Sequence, residues 1–224
     1  ALLGGAFDVN GAEPIMRDSL RVHGLIPLIE PYTALGYVHV GGGGNELTHP
    51  SILSITGPDA IVDWVVVELR HPNDPGKRIA TKSALLKRNG EVMAANAQPL
   101  SFCVPAGKYQ VALRHRNHLG VITQRSVMLD GSVAVVNFRD VEAPDDTRGG
   151  LEALQVLNVD STLFALWPGD VSFDGTVRYV GMDNDRDPIL TEIGGSVPTN
   201  VVSNVYVQPD VNLDSRVQYV GQGN

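Results

Sequence analysis

The stretch GDVSFDGTVRYVGMDNDRDPIL concentrates oxygen-bearing side chains that could bind a cation. Asp170, Ser172 and Asp174 are spaced two residues apart, and Gly175 follows them. This spacing is that of the D-x-[DN]-x-[DN]-G calcium loop, in which alternate residues offer oxygen atoms to one centre. The glycine permits the sharp turn that lets position 7, Thr176, donate its backbone carbonyl. The stretch therefore predicts a calcium loop.

The choice of ion and the closing ligand follow from the same residues. The donors are all oxygen atoms, which favours a hard cation such as Ca²⁺, and the absence of His and Cys from the stretch argues against zinc. An EF-hand loop closes with Glu at position 12, but that position is Gly181, so the closing carboxylate must come later. Asp185 and Asp187 are the two candidates. We favour Asp187, because Asp187–Pro188 is a typical helix entrance.

An internal repeat supports the prediction. Residues 169–184 align with residues 209–224 at a period of 40, which chance does not explain. The identical pairs are Asp170/Asp210, Val171/Val211, Asp174/Asp214, Val177/Val217, Tyr179/Tyr219, Val180/Val220, Gly181/Gly221 and Asn184/Asn224.

The second copy offers a similar set of ligands. These are Asp210, Asn212, Asp214 and the carbonyl of Arg216, with Ser215 in place of the glycine. Because serine tolerates that turn less well and no equivalent of Asp185 or Asp187 follows, we expect a weaker second site. The alternative interpretation of both loops is a pair of acidic turns in which Asp side chains cap the backbone. The repetition of Asp at the same two positions favours calcium.

The charge distribution limits the partners. The net charge of -8 comes entirely from residue 145 onward, because the first 144 residues carry 13 charges of each sign. An acidic segment with buried-type apolar residues argues for bound cations and against nucleic acid, which needs basic surfaces. No apolar run approaches the length of a membrane span. The one cysteine, Cys103, allows no internal disulfide, and its alternating apolar context predicts a buried, inert thiol.

Short β-strands dominate the region from 61 to 140. The Val-rich run 61–70 predicts a strand, and Asn89–Gly90 between two apolar runs is a strong hairpin signal. Two strands around a Pro-Ala-Gly turn are predicted within 101–116, and further strands at 120–129 and 133–140. About seven strands joined by short turns indicate a mainly β fold, specifically an immunoglobulin- or transthyretin-like β-sandwich over residues 1–144. The spacing of apolar residues in 151–167 predicts a helix opening a second unit, residues 145–224, which contains the loops.

The repeat resembles dockerin-type calcium repeats in the form found in secreted proteins of Bacteroidota, where Y-x-G-x-x-N-D-R-D-P-I-L follows the loop. The first unit resembles a region that precedes such repeats, through GLIPLIEPY, GYVHVGGGG, IVDWVVVELR, ATKSALLKRNGEV and RHRNHLGVIT. The resemblance covers nearly the whole chain and implies an exported surface protein carried by a type IX secretion route. Departures are Ser172 for Asn, Phe173 for a small residue and Ser215 for Gly.

The sequence gives weaker support for other metal-binding or phosphate-binding sites. RHRNHLG gathers Arg114, His115, Arg116 and His118, but positions 115 and 118 face opposite sides of a strand, so joint metal binding needs a turn. A polar turn that meets acidic neighbours, such as those of the second unit, is the favoured interpretation. The four consecutive glycines, 41–44, lack the Lys-Ser/Thr of a phosphate loop.

The sequence therefore predicts a non-enzymatic, calcium-stabilised structural segment of an extracellular or cell-surface protein or assembly. Other copies of the chain or another surface protein are the expected partners. The alternative is a binding module, either a dockerin-type docking unit or a glycan adhesin. A hydrolase with its site in the glycine loop at 36–60 is a weaker alternative.

Overall fold

The computed structural model describes residues 1–8, 14–158, 160 and 162–221. Asn224, the last member of the predicted repeat, lies outside these ranges. The fold is mainly β, with 30% strand and 14% helix. The strands are β1 (Ile61–His71), β2 (Asp74–Lys87), β3 (Val92–Ala94), β4 (Gly107–His115), β5 (His118–Ile122), β6 (Val127–Leu129), β7 (Gln155–Val156), β8 (Phe164–Ala165), β9 (Val201–Ser203) and β10 (Arg216–Gln218). The helices are α1 (Ser19–Val22), α2 (Pro50–Leu53), α3 (Ala143–Asp146) and α4 (Arg186–Glu192), with 3₁₀ turns at Gly4–Ala6, Gly57–Asp59 and Gly150–Ala153.

Six strands form one antiparallel sheet. The order is β3-β2-β1-β4-β5, and β6 also pairs with β4. The predicted Asn89–Gly90 hairpin is confirmed, since it joins β2 to β3 and Gly90 has the positive φ, 89°, that glycine adopts without strain. Two-stranded ribbons, β7–β8 and β9–β10, follow in the last third of the described chain.

Both faces of the central strands are buried. On one face, Val67 and Leu69 of β1 lie beside Leu113 and Val111 of β4. On the other face, Trp64 donates its indole N–H to the carbonyl of Pro27 at 2.9 Å, so the irregular segment after α1 covers this side. The Val-rich composition of β1 therefore reflects burial on both faces.

Four local predictions were wrong. Residues 133–140 form no strand, because the segment has no strand neighbour with which to pair. Residues 151–167 form a 3₁₀ turn and the β7–β8 hairpin rather than a helix; the Asn158 side chain closes the turn by accepting the N–H groups of Thr162 and Leu163. Cys103 is exposed, and its neighbours Phe102 and Val104 pack against the core instead. The first of the two strands predicted within 101–116 does not form, because β4 begins only at Gly107. Apolar and exposed residues do alternate here, but Phe102 and Val104 are the inward residues and Cys103 is not.

Packing crosses the predicted boundary at residue 144. Leu3 forms a parallel bridge with Leu166, and Leu154, Phe164 and Leu166 belong to the same buried cluster as Trp64. The segment after residue 145 therefore contributes to the core that supports the sheet. The division into two units stays a prediction.

Candidate metal centre: two acidic loops held by the β4–β5 turn

The first loop buries its leading carboxylate. Asp170 is fully buried, and its Oδ2 accepts the backbone N–H of Gly175 at 3.0 Å. Its Oδ1 is buried without a hydrogen-bond partner among the described residues. A buried carboxylate oxygen without a partner carries a large desolvation cost. A cation bound at Oδ1 would remove that cost, so the loop fits a metal ion at position 1.

A second buried carboxylate faces this loop from further along the chain. Asp185 is 4% exposed, and its two oxygens accept the N–H groups of Ser172 and Arg178 at 3.0 and 2.7 Å. Asp187 instead accepts the side-chain amide of Asn184 at 2.8 Å in the first turn of α4. The structure thus brings Asp185, rather than the favoured Asp187, against the loop.

The remaining predicted ligands of the first loop lie at its surface. Ser172, Asp174 and Thr176 are exposed. Asp174 accepts the backbone N–H of Thr176 at 2.7 Å and forms a 3.2 Å ion pair with Arg178. Asp170 and Asp185 therefore hold the buried side of the loop, and Ser172, Asp174 and Thr176 lie on the side that faces solvent.

The two repeats share the same backbone turn. Phe173 and Gly175 have φ values of 60° and 85°, and the corresponding Leu213 and Ser215 have 57° and 71°. Position 6 therefore needs the left-handed conformation in both loops, as the glycine predicts. Ser215 adopts this conformation at a cost that Gly175 avoids.

The second loop satisfies its carboxylates internally. Asp210 is fully buried, and its two oxygens accept the N–H groups of Asp214 and Ser215 at 3.1 and 2.9 Å. Asn212 donates its amide to Asp214 at 3.1 Å, and Asp214 accepts the N–H of Arg216 at 2.9 Å. No oxygen of Asp210 is left without a partner, so this loop fits a cation less well than the first.

Burial dominates the electrostatics of both leading carboxylates. Desolvation raises the pKa of Asp170 to about 6, with Asp185 and Asp174 adding to the rise. Desolvation also raises the pKa of Asp210 to about 7, although the charge of Arg116 opposes the rise. Each loop thus holds a carboxylate whose charge the chain compensates incompletely.

The turn between β4 and β5 holds both loops. Arg114 donates to the carbonyl of Phe173 at 2.9 Å in the first loop. Asn117 accepts the N–H of Gly169 and donates to the carbonyl of Asp210 at 2.7 Å. The RHRNHLG motif is therefore a polar turn that meets the acidic unit, in agreement with the favoured interpretation.

Phe173 ties the first loop to the sheet. Its ring lies 5.7 Å from Tyr32 and 6.1 Å from Tyr37, and the guanidinium of Arg114 lies 4.1 Å above it. The large residue that departs from the dockerin-like pattern is thus an anchor. Its aromatic contacts compensate for the positive φ at this position.

A buried ion pair lies beneath the turn. Asp63 of β1 accepts Arg116 Nε–H at 2.9 Å, His115 Nε2–H at 3.1 Å and the hydroxyl of Tyr206 at 2.6 Å. Burial alone would raise the pKa of Asp63, but Arg116 and His115 hold it well below its usual range. Arg116 also donates to the carbonyl of Val207, so the pair links the sheet to the second loop. Sequence reasoning missed Asp63 and Tyr206, although a charge inside IVDWVVV was an available signal.

Two histidines continue this network in their neutral forms. His118 Nε2 accepts the N–H of Gly5 at 3.1 Å, so the hydrogen is on Nδ1, which donates to Asn117 Oδ1 at 2.8 Å and lies 3.1 Å from His115 Nδ1. His115 then carries its own hydrogen on Nε2, toward Asp63. Burial lowers the pKa of both histidines below 6.5, and for His118 the neighbouring Arg116 adds to the shift.

We expect these histidines to make the protein acid-sensitive. Because the unfolded chain binds protons at His115 and His118 near pH 6.5 and the folded chain does not, these two side chains reduce stability as the pH drops below about 6.5. Asp170 and Asp210 oppose that loss, because their raised pKa values let the folded chain bind protons that the unfolded chain does not bind at this pH. Urea unfolding from about pH 7 to about pH 5 measures the slope. Relative to the wild type, the His118→Gln variant should gain stability as the pH falls, whereas His49→Gln, at an exposed position, should follow the wild-type slope. Equal slopes in all three proteins would contradict this account.

The repeats also meet through two equivalent tyrosines. The guanidinium of Arg186 lies 4.1 Å from the ring centre of Tyr179 and 5.1 Å from that of Tyr219, and it donates to the Tyr219 hydroxyl. Tyr179 and Tyr219 occupy the same repeat position. One arginine at the start of α4 therefore joins the two copies.

The loop carboxylates do not form a group of three ligand atoms within 4.8 Å of one another, but residues elsewhere in the described chain do. Among residues 1–8, 14–158, 160 and 162–221, Glu30, His39 and Glu46 form the one group of three His, Cys, Asp or Glu residues with ligand atoms within 4.8 Å of one another. Burial would raise the pKa of Glu30, but hydrogen bonds from Thr33, Asn45 and other donors lower it below its usual value. With its oxygens so occupied, Glu30 joins its segment to β2 rather than offering free metal ligands.

The glycine loop at 41–44 closes over the same cluster. A side chain at Gly43 would overlap the carbonyl oxygen of Thr81, so glycine is required for close approach to β2. Ser83 Oγ lies 3.5 Å from His39 Nε2, but Glu30 approaches the same nitrogen, at 3.7 Å. A Ser-His-Glu triad needs the carboxylate at the other nitrogen, which here faces Thr81. The loop does not have triad geometry.

Comparisons of the chain with known protein families, with curated proteins and with solved structures found no match. Within the described part of the chain, no helix is long and apolar enough to cross a membrane.

Proposed function

We propose that this chain is a non-enzymatic, calcium-stabilised structural segment. The observation that carries the proposal is the buried Asp170 Oδ1, which has no partner within the described residues and stands at position 1 of a calcium-type loop. Asp185 adds a second buried carboxylate against the same loop. A Ca²⁺ ion would be held by oxygen donors of this loop and would neutralise both carboxylates.

Calcium would act on the fold rather than on a substrate. A site that exists only in the folded chain converts binding free energy into folding free energy. Because Arg114 and Asn117 connect the loops to the sheet, that stabilisation would extend from the loops to the β4–β5 turn.

The dockerin-like character of the repeat and the sandwich class of the first unit belong to this proposal. The antiparallel sheet is compatible with a sandwich, because irregular segments that contain Phe102 and Phe138 pack against its Val67–Leu113 face. The resemblance to secreted Bacteroidota proteins is the basis for placing the chain at the cell surface or outside the cell. Docking of a partner protein or of a glycan remains the alternative function.

Calorimetric titration with Ca²⁺ tests the proposal. We expect saturable binding by the wild-type protein and its loss in Asp170→Asn, which keeps the size of the side chain but removes its charge. Asp130→Asn, at an exposed position outside the loops, should bind like the wild type. Equal binding by wild type and Asp170→Asn, or no binding by either, would overturn the assignment.

A further inference from the structure

His118 is a buried hydrogen-bond acceptor between the sheet and the N-terminal segment. It lies at the start of β5, is 1% exposed, and accepts the backbone N–H of Gly5 at Nε2 with a distance of 3.1 Å. Gly5 belongs to the 3₁₀ turn Gly4–Ala6 and lies so close to the second loop that an added Cβ atom would be 2.2 Å from the carbonyl oxygen of Val211. The histidine therefore holds this turn where it covers the second loop.

Asn117 contacts the other nitrogen of the same ring. Its Oδ1 accepts a hydrogen bond from His118 Nδ1 at 2.8 Å, and its side-chain amide donates to the carbonyls of Gln208 and Asp210 at 2.8 and 2.7 Å. Nδ1 carries a hydrogen in this neutral ring and also in the charged imidazolium, so a change of charge leaves these contacts in place. The hydrogen bond from Gly5, in contrast, depends on the charge of the ring.

A proton on Nε2 would remove the acceptor of the Gly5 hydrogen bond. The imidazolium has donors at both nitrogens, so the Nε2–H group and the N–H of Gly5 would point at each other. The charged ring would also lie out of contact with water, which is unfavourable unless an anion compensates its charge.

The groups around the ring do not supply a free anion. The charged or titratable groups that act on the ring are His115 of β4, Arg116 of the turn and Asp63 of β1. Asp63 is already paired with Arg116, and Asp210 is connected to the ring through Asn117. From the N-terminal segment, Arg17 donates to the carbonyl of Gly5 at 2.7 Å, which brings another cation. Burial, His115 and Arg116 lower the pKa of His118 well below 6.5, and Asp63 opposes this shift in part.

We propose that the hydrogen bond from Gly5 to His118 is an acid-operated latch. When His118 takes up a proton, the 3₁₀ turn Gly4–Ala6 separates from the ring and uncovers the second loop, which Asn117 continues to hold. The six-stranded sheet stays folded, because its strands pair with one another. This device goes beyond the proposed structural function and involves neither Asp170 nor Asp185 of the first loop.

Proton linkage gives the size of the effect. The closed form keeps His118 neutral, whereas the open form frees Nε2 to water, where a histidine binds a proton with a pKa of about 6.5. The ratio of the open to the closed form should therefore rise about ten-fold for each pH unit below about 6.5. The rise ends at the lower pKa of the closed form.

Hydrogen exchange of the Gly5 amide, followed by NMR in chelator and corrected for the pH dependence of exchange in an unfolded chain, measures the opening. We expect the protection of Gly5 to fall about ten-fold from about pH 6.5 to about pH 5.5, while Val66 in β1 keeps its protection. His118→Gln retains an acceptor oxygen but cannot become charged, so its Gly5 protection should not depend on pH. His49→Gln, at an exposed position, should respond like the wild type.

A second measurement needs no variant. The imidazole nitrogen chemical shifts of the wild type report the charge of His118, and Gly5 should have lost its protection wherever the ring is charged. A charged ring beside a protected Gly5, or the same fall in His118→Gln as in the wild type, would overturn the latch. An equal fall in β1 would mean global unfolding and would also overturn it. Asp210→Asn should keep the wild-type response, and its loss would assign the opening to Asp210 instead.

Discussion

Removal of calcium is expected to lower the melting temperature of this protein by about 5 to 10 °C. A ligand at about 100 times its dissociation constant stabilises the folded state by about 2.7 kcal/mol, and about 1 kcal/mol shifts the melting temperature of a chain this long by about 2–4 °C. Under this proposal the effect would arise at Asp170 and Asp185, whose buried carboxylates would lose the charge of the ion. Differential scanning calorimetry with calcium and with chelator measures it.

The same experiment separates the two candidate closing residues. Asp185→Asn should lose most of the calcium response, because the two oxygens of Asp185 hold the backbone of the loop through the N–H groups of Ser172 and Arg178. Asp187→Asn should keep it, because that side chain pairs with Asn184. A melting curve that chelator leaves unmoved would remove the basis for the calcium loop, and a response lost only in Asp187→Asn would restore the original sequence prediction.

The second large effect concerns the ion pair between Asp63 and Arg116. Removing one member of a buried pair leaves an uncompensated charge, which typically costs about 3–5 kcal/mol. We therefore expect Arg116→Met to lose a large fraction of the stability of the chain, since whole domains are stable by only about 5–15 kcal/mol. Urea unfolding of the variant, followed by circular dichroism, measures the loss.

A double variant shows that charge, and not only packing, is responsible. Asp63→Leu with Arg116→Met removes both charges and replaces them with apolar groups of similar size. It should be more stable than either single variant, because no buried charge remains unpaired. Arg78→Met is the matched control and should cost little, because Arg78 donates to the carbonyl of Val38 in an exposed hydrogen bond and forms no ion pair with a carboxylate among the described residues. Additive losses in the double variant would mean that the pair is not coupled.

The local sequence pattern was sufficient to predict the central strands and the turns of the loops. Neighbouring residues determine each of these features, which are the Val-rich run of β1, the Asn89–Gly90 hairpin and the turn at the glycine in position 6 of the first loop. Their physical causes act within a few residues, so the sequence displays them directly.

Long-range contacts were beyond such reasoning. Tyr206 and Asp63 are 143 residues apart, and nothing in their local sequences indicates that they meet. The strand predicted at 133–140 failed for the same reason, because a β-rich segment becomes a strand only where a neighbour offers its backbone. Which acidic residue lies against the first loop also depended on how residues 178–185 fold back, which the spacing of acidic residues does not determine.

Phe173 has a consequence for the independence of the first loop. Its backbone conformation is unfavourable for a side chain with a Cβ, and the compensation comes from Tyr32, Tyr37 and Arg114, all outside the repeat. If the loop were joined to a different domain, Phe173 would keep its unfavourable backbone conformation but would lose its contacts with Tyr32, Tyr37 and Arg114. The first loop is therefore not expected to fold equally well on another domain, and we expect the repeat and this sheet to be inherited together.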